Sequence, residues 1–98
     1  MIRVQWSGEA HRDLVRLYEF LAPLNDQAAR AAVREILGGV DRIVFNPRIG
    51  RRLDAYRPRD IRRLVAGLYE MRYELRDTEI VIVRLFHSRE DREIGSSE

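Results

Sequence analysis

The segment 62–89 constrains the fold most, because its apolar residues first alternate and then run together in the way that strands require. Residues 68–75, Leu-Tyr-Glu-Met-Arg-Tyr-Glu-Leu, have an apolar period of two, which predicts a half-buried strand. Residues 80–86 are almost continuously apolar and β-branched, which predicts a central strand covered on both faces. Asp77-Thr78 separates them as a turn. We therefore predict two long antiparallel strands, with a third possible directly before them.

The last strand carries one charge, Arg84, and a charge in such a strand needs a partner or a function. Strict alternation would place Ile80, Ile82, Arg84 and Phe86 on one face. That face would expose apolar surface to water, so we expect a binding partner to cover it.

The N-terminal half predicts a short edge strand followed by two helices. Residues 2–6 alternate, Ser7 can cap the first helix, and Pro23 ends it. The second helix runs from about Gln27 to the stop at Asn46-Pro47. Joined by a short connection, the helices should form an antiparallel hairpin whose apolar faces cover the sheet.

Two glycines, Gly38 and Gly39, lie inside the second helical pattern. Each costs about 1 kcal/mol relative to alanine in a helix. The apolar phase nevertheless stays continuous across them, which favours one helix over two. The pair would allow close packing against the first helix.

The chain therefore predicts an α+β fold: a short N-terminal strand and an antiparallel helical hairpin packed on a small, mainly antiparallel sheet. Its 98 residues suit one domain, 1–98, with a frayed tail at 93–98. The absence of cysteine excludes disulfides, thiol catalysis and cysteine zinc sites. No apolar run approaches the roughly 18 residues of a membrane span, and no leader opens the chain, so we expect a cytoplasmic protein.

All 18 basic residues are arginine, against 16 acidic residues, for a net charge of +2. Arginine suits phosphate recognition, but so small a net charge favours a compositional bias towards arginine over a nucleic-acid surface. The segment 47–60 contains five arginines, two prolines and a glycine and predicts a loop. It is either a basic flap that touches phosphate or an acidic partner, or a solvated connection.

His87 is the candidate catalytic residue, because it follows the last strand and lies near Arg84 and Arg89. A histidine beside arginines can act as general acid or base in phosphodiester cleavage, with the arginines holding the phosphate. The alternative is a strand-end histidine satisfied by Glu90 or Asp91. A ribonuclease also needs a second proton-transfer group, and the chain has no lysine to supply it.

The tyrosines are possible substitutes for that group, namely Tyr56, Tyr69 and Tyr73, although the last two fit the core better. The chain contains no phosphate-binding glycine loop and no recognised metal motif. We expect no cofactor and no metal.

The order of elements resembles the RelE/ParE superfamily of bacterial type II toxins. The matching pieces are Trp6 with Ala10 and Leu14, Pro-Arg-Ile-Gly-Arg at 47–51, Ile-Arg-Arg-Leu at 61–64, Tyr-Glu-Met-Arg-Tyr at 69–73, and Val-Arg-Leu-Phe-His-Ser-Arg-Glu-Asp at 83–91. They cover nearly the whole chain, and their order and spacing carry the resemblance.

Within that superfamily, RelE-like members cut messenger RNA in the ribosome, whereas ParE-like members lack the catalytic set and poison DNA gyrase. If the chain is a RelE-like ribonuclease, the resemblance implies that Arg62, Arg84, His87 and Arg89 are catalytic. The chain has no lysine and no tyrosine after His87, where the ribonucleases commonly place one. The resemblance is therefore closer to ParE, with mRNA cleavage as the alternative and a non-toxic interaction module as a second.

The resemblance also implies a cognate, ParD-like antitoxin whose flexible segment folds onto this chain to form a hetero-oligomer. Nucleic acid would be contacted only through the antitoxin or the target. The predicted partner-binding residues are Arg51, Arg62, Arg72, Ile80, Ile82, Arg84 and Phe86.

Overall fold

The computed structural model describes residues 2–88, in which two helices pack on one face of a five-stranded sheet. The elements are β1 (Arg3–Trp6), α1 (Gly8–Leu21), α2 (Asp26–Phe45), β2 (Arg51–Arg52), a 3₁₀ turn (Asp54–Tyr56), β3 (Ile61–Ala66), β4 (Tyr69–Leu75) and β5 (Glu79–His87). The strand order is β1-β5-β4-β3-β2, and β1 alone pairs parallel, with β5. The predicted α+β class is confirmed; the predicted tail at 93–98 lies outside the described residues.

α1 begins after the predicted cap, Ser7, and α2 begins after Asn25. The Ser7 hydroxyl accepts a hydrogen bond from the Ala10 amide at 3.0 Å, and the Asn25 side chain accepts one from the Ala28 amide at 3.1 Å. α1 ends at Leu21, just before Pro23. α2 is one continuous helix, as the unbroken apolar phase predicted.

The close contact predicted for the glycine pair lies elsewhere. A Cβ on Gly39 would lie 2.7 Å from Met71 Sδ and 3.0 Å from Ala66 Cβ, so Gly39 lets α2 approach the sheet, not α1. A Cβ on Gly38 would meet no atom within 4 Å. Of these two glycines, only Gly39 is therefore required by packing against other described residues.

The core lies between the helices and the sheet. Its buried side chains include the predicted inward residues of β4, namely Tyr69, Met71 and Tyr73. The other members are Ala10, Ala32, Ile36, Ile43, Leu64, Ala66, Ile80, Ile82 and Leu85. Residues of both helices thus pack into one apolar layer against the sheet.

β1 covers only the first half of β5, and α1 takes over the remaining edge. The chain leaves β1 at Trp6, opposite Ile82. Beyond that point the Ser7 hydroxyl donates to the Val83 carbonyl at 3.0 Å, and Asp13 accepts from the Leu85 amide at 2.9 Å. Buried backbone groups need partners, and the side chains of the cap residue Ser7 and of Asp13 in α1 supply them where the sheet pairing stops.

The segment predicted as a loop, 47–60, includes the two-residue strand β2 and the 3₁₀ turn. Its first part is fixed by Tyr73, whose hydroxyl donates to the Pro47 carbonyl at 2.8 Å and accepts from the Gly50 amide at 2.9 Å. A Cβ on Gly50 would lie 2.7 Å from the Tyr73 hydroxyl and 2.7 Å from the Arg63 carbonyl. Glycine at this position therefore lets the loop reach the sheet.

Among the described helices, neither combines the length and apolar character needed to cross a bilayer.

Candidate functional site: an arginine row across the sheet

Four arginines stand side by side on the sheet face that the helices do not cover. Arg51 of β2 pairs in register with Arg63 of β3, Arg63 with Arg72 of β4, and Arg72 with Arg84 of β5. Residues directly opposite one another in a sheet lie on the same face. At about 4.8 Å between strands, this arginine row spans about 14 Å.

Glu70 offsets the charge at the centre of the arginine row. Its carboxylate is 2% exposed and lies 3.0 Å from Arg72 Nε and 3.3 Å from an Arg63 guanidinium nitrogen. Arg72 also donates to the Tyr56 hydroxyl at 3.3 Å. A buried carboxylate needs such partners, so Glu70 holds the two central arginines in fixed positions.

Arg84 is bound at the end of the arginine row by Asp13 of α1. Asp13 is 5% exposed and accepts from Arg84 Nε at 2.8 Å. Two guanidinium groups lie over the Phe86 ring. The guanidinium carbon of Arg72 is 5.3 Å from the ring centroid and that of Arg84 is 4.9 Å from it. These contacts orient both guanidinium groups by cation–π attraction.

A second acid, Glu74, lies further along β4. It is bound by Arg59 through two hydrogen bonds of 3.0 Å and by Arg76 at 3.0 Å. The bond from Arg59 lowers the pKa of Glu74 below its ordinary value, against the opposing effect of burial. The same bond raises the pKa of Arg59.

An apolar cavity of about 290 Å³ opens beside the end of the arginine row, between α1 and the last residues of β5. Leu17, Phe20 and Leu85 form its apolar wall, and polar groups from Asp13, Arg16 and His87 lie at its margin. Phe20 is 68% exposed at its mouth. Leu85 belongs to the core under the helices, so the cavity lies on the helix side of the sheet and adjoins the arginine row only at the edge of β5, where Asp13 contacts both.

Two predicted partner-binding residues, Ile80 and Ile82, are not on this face. They are buried under the helices at 1% and 0% exposure. A β-bulge explains the error: Arg72 pairs with Arg84 but Tyr73 pairs with Ile82, which leaves Val83 as an extra residue. The extra residue reverses the alternation, so Arg84 and Phe86 lie on the opposite face from both isoleucines.

Arg62 is also separate from the arginine row. It donates to Asp60 at 3.0 Å, to the Gly50 carbonyl at 3.0 Å and to the Arg48 carbonyl at 3.3 Å, so it holds the loop before β3. Arg62 pairs with Tyr73 across the sheet, whereas His87 pairs with Tyr69, which in turn pairs with Ala66 of β3. Arg62 is therefore four residues along β3 from the position level with His87. That is about 13 Å along the strand, so the structure does not bring Arg62 and His87 together.

His87 packs its ring edge-on against Tyr69, with ring centroids 5.4 Å apart. Burial, with a smaller contribution from the charge of Glu35, raises the pKa of Tyr69. Arg89, Glu90 and Asp91, predicted as companions of His87, lie outside the described residues. Within residues 2–88, no group of three or more metal-ligating side chains is gathered in one place.

Sequence reasoning missed Arg63 and Asp13. Arg63 could not be placed without knowing the register of β3 against β2 and β4. Asp13 did carry a signal, because it lies between Ala10 and Leu14 on the apolar face of α1, where an acid calls for a buried partner.

The family model for the ParE toxin of the type II toxin–antitoxin system parDE matches residues 4–92. Toxin ParE1 of Mycobacterium tuberculosis, from each of two strains, is 40% identical over 67 residues, which are 67% of this chain and 66% of the relative. The match thus spans slightly less than two thirds of these curated relatives. The chain belongs to the ParE toxin family, and the predicted resemblance to the RelE/ParE superfamily is confirmed.

Two solved structures share the fold. A chain of the chromosomal ParDE system from P. aeruginosa aligns with a TM-score of 0.73 and 24% identity, covering 89% of this chain and 96% of that one. A chain of the archaeal RelE–RelB complex from Pyrococcus horikoshii aligns with a TM-score of 0.66 and 20% identity, covering 90% and 96%.

Proposed function

We propose that this chain is a toxin that inhibits DNA gyrase in the cytoplasm and is neutralised by a cognate antitoxin. The observation that carries the proposal is the match of the ParE toxin model over residues 4–92. The 40% identity to Toxin ParE1 over 67 residues supports it. Gyrase is the target that the ParE family implies, and mRNA cleavage is the activity against which it has to be tested.

The bonding of the arginines supports gyrase inhibition over mRNA cleavage. Groups that stabilise the charge of a phosphoryl transition state must have donors aimed at it. Arg84 donates two hydrogen bonds to Asp13, and Arg62 donates to Asp60 and to two backbone carbonyls. Of the three arginines assigned to catalysis, these two thus have a role in holding the fold.

The arginine row is the surface we assign to the antitoxin. A flexible segment that folds onto a partner needs apolar contacts to offset its ordering and charged contacts to set its register. The row supplies positive charge, while Val65 is 49% exposed on the same face and the cavity beside α1 adds an apolar recess. An acidic and apolar antitoxin segment fits this combination.

The deciding experiment is a gyrase supercoiling and cleavage assay with ATP, using the purified full-length chain. Loss of supercoiling or trapped cleaved DNA at near-stoichiometric protein is the expected result, and adding the antitoxin should reverse it. If the protein leaves gyrase unaffected but cuts transcripts at ribosomes in a parallel translation reaction, its activity is RelE-like cleavage and not gyrase inhibition. Inactivity in both assays would leave the non-toxic interaction module.

The antitoxin surface has its own test. Arg51→Glu and Arg63→Glu place negative charge in the arginine row and should weaken antitoxin binding by at least about tenfold, with the loss growing at low salt. Arg42→Glu makes the same charge change on α2 and serves as the matched control. If all three variants bind the antitoxin equally well, the antitoxin binds a different surface of this chain.

A further inference from the structure

The outward side of α2 carries an apolar and charged stripe that the fold leaves uncovered. Residues at alternating steps of three and four lie along one line of a helix, and Ala31, Arg34, Gly38, Asp41 and Phe45 have this spacing. We call these five residues the α2 seam. They lie opposite the buried residues Ala29, Ala32, Ile36, Gly39 and Ile43. The α2 seam therefore faces away from the sheet.

Phe45 is the most exposed large apolar side chain in the described part of the chain, at 92%. Leu37, beside the α2 seam, is 46% exposed. A single exposed apolar residue is ordinary, but an exposed phenylalanine at the end of a regular helical stripe is typical of an association surface.

Gly38 lies at the middle of the α2 seam, and no contact in the described part of the chain requires it to be glycine. An interior helical glycine costs about 1 kcal/mol relative to alanine. Gly39 offsets that cost by its close contact with Met71, whereas a Cβ on Gly38 would meet no atom within 4 Å. The advantage of Gly38 would instead lie in allowing a second helix to approach α2 closely at this point.

The two charges of the α2 seam have no ion-pair partner among residues 2–88. Neither Arg34 nor Asp41 forms an ion pair with any residue of the described range. By contrast, Arg30 on the same helix pairs with Asp26 at 3.1 Å. Arg34 and Asp41 are therefore both available to a partner.

The arrangement is complementary to itself when reversed. Ala31 and Phe45 lie equally far from Gly38 in opposite directions, one small and one large. Arg34 and Asp41 lie on either side of it with opposite charges. We propose that two copies of this chain associate through antiparallel α2 helices, with the twofold axis at Gly38.

In such an isologous pair each contact occurs twice. Phe45 of each copy lies over Ala31 of the other, which leaves room for the ring, and Arg34 of each copy lies beside Asp41 of the other. Gly38 meets its own equivalent at the axis, where close approach is needed. Because the order of the stripe is complementary to its own reverse, a second copy supplies a counterpart for every residue of the α2 seam, and it is the occupant we assign.

Association through one helix is expected to be modest. The 20 residues of α2 are about 30 Å long, and a single helix pair buries less area than a standard stable interface. We therefore expect a weak monomer–dimer equilibrium, with a dissociation constant below about 1 mM. The α2 seam and the arginine row lie on opposite sides of the molecule, so dimerisation leaves the proposed antitoxin surface open.

The test measures the mass of the full-length chain by sedimentation equilibrium over a range of concentrations. The native chain should shift from monomer to dimer as concentration rises. Arg34→Asp and Asp41→Arg should each raise the dissociation constant by at least about tenfold, because each puts two like-charge pairs into the dimer. The double variant restores two opposite-charge pairs and should recover the dimer.

Gly38→Gln separates association from folding. It should raise the midpoint of thermal unfolding of the monomer, because glycine is a poor helix former, and yet block the dimer by filling the axis. Phe20→Ala removes a similarly exposed aromatic residue from α1 and should leave the dimer intact, whereas Phe45→Ala should weaken it.

A native chain that stays monomeric up to about 1 mM would overturn the proposal. So would a dimer that survives Gly38→Gln, or a double charge variant no better than the single ones. Seam variants that weaken antitoxin binding while the native chain remains monomeric would also overturn it and would assign the α2 seam to a different protein. None of these outcomes depends on the gyrase result.

Discussion

Asp13 of α1 and Arg84 of β5 are bonded across 71 residues of sequence, with Asp13 Oδ2 2.8 Å from Arg84 Nε. The same carboxylate accepts from the Leu85 amide at 2.9 Å and, through its other oxygen, from Arg16 at 2.7 Å. The Asp13 side chain therefore satisfies the Leu85 amide at the edge of β5, neutralises the end of the arginine row and attaches the first helix to the last strand.

Replacing Asp13 should be among the most damaging single changes on α1. Asp13→Ala leaves the Leu85 amide and the Arg84 guanidinium without their acceptor, and we expect a loss of about 2–3 kcal/mol in the free energy of unfolding. This is less than for a fully buried pair, because the Arg84 side chain is 37% exposed and water can replace part of the bond. Urea denaturation measures the change.

The matched control is the exposed pair Arg30–Asp26, whose side chains are 67% and 57% exposed. Arg30→Ala should change the free energy of unfolding by no more than about 0.5 kcal/mol. A loss of similar size in both variants would mean that Asp13 contributes only helix surface charge and does not hold β5.

Replacing each of the adjacent glycines of α2 with alanine should change the stability of the fold in opposite directions. Gly38→Ala gains helix propensity at a site with open space and should stabilise the fold by about 1 kcal/mol. Gly39→Ala makes the same gain but places a Cβ 2.7 Å from Met71 Sδ, and overpacking of this kind costs about 1–3 kcal/mol. Thermal unfolding should therefore show a higher midpoint for the first variant and a lower one for the second.

An equal gain in both variants would mean that Met71 repacks without strain. Because the two sites share one helix and one substitution, helix propensity cancels in their difference. That difference isolates the contact between α2 and the sheet.

The local elements of this fold could be predicted because each rests on nearby residues. The alternation of β4 correctly gave Tyr69 and Met71 to the core, and Ser7 and Pro23 marked the limits of the first helix. The prediction for β5 failed after Ile82, where one extra residue in the ladder reverses the two faces. A bulge depends on how two strands pair, which the pattern of one strand does not contain.

The arginine row lay beyond sequence reasoning for the same reason. Its members come from four strands, and only the register of each strand against the next makes a row of them. Arg62 and Arg63 are neighbours in sequence, yet one holds a loop and the other belongs to the row. The period of β3 was too short a signal to decide which arginine faced which side.

Tyr73 joins β4 to the loop before β2, and removing its hydroxyl should loosen both. Tyr73→Phe leaves the Gly50 amide and the Pro47 carbonyl without their partner, at an expected cost of about 1–3 kcal/mol. Tyr18→Phe removes an exposed hydroxyl that bonds Asp26 at 3.4 Å and should cost no more than about 0.5 kcal/mol. Urea denaturation at neutral pH compares the two.

Tyr73 should also make the stability of the fold depend on pH in the alkaline range. Burial raises the pKa of Tyr73 above its ordinary 10.0, against the smaller opposing effects of Gly50 and Arg62. The folded state therefore keeps this proton longer than the unfolded state does, and stability falls as pH rises above about 10. Tyr73→Phe should make that decline shallower. An unchanged decline would assign it to other groups.

Glu74 should make the stability of the fold depend on pH in the acid range. Its hydrogen bonds from Arg59 hold the pKa below the ordinary value of 4.5, so the folded state releases this proton more readily than the unfolded state. The resulting stabilisation is complete above about pH 4.5 and is lost as pH falls through the lower pKa of the folded state. Glu74→Gln should reduce stability at neutral pH and make the acid decline shallower, as measured by urea midpoints between about pH 3 and 7.

Arg59→Gln tests whether Arg59 acts through that carboxylate. It removes the largest cause of the lowered pKa of Glu74 and should itself make the acid decline shallower. If Arg59 stabilises the fold only through Glu74, adding Arg59→Gln to Glu74→Gln should produce no further change, because the pair is already broken. Additive losses would mean that Arg59 has a second contact of its own, and an acid decline unaffected by either change would place the acid sensitivity of the fold in other carboxylates.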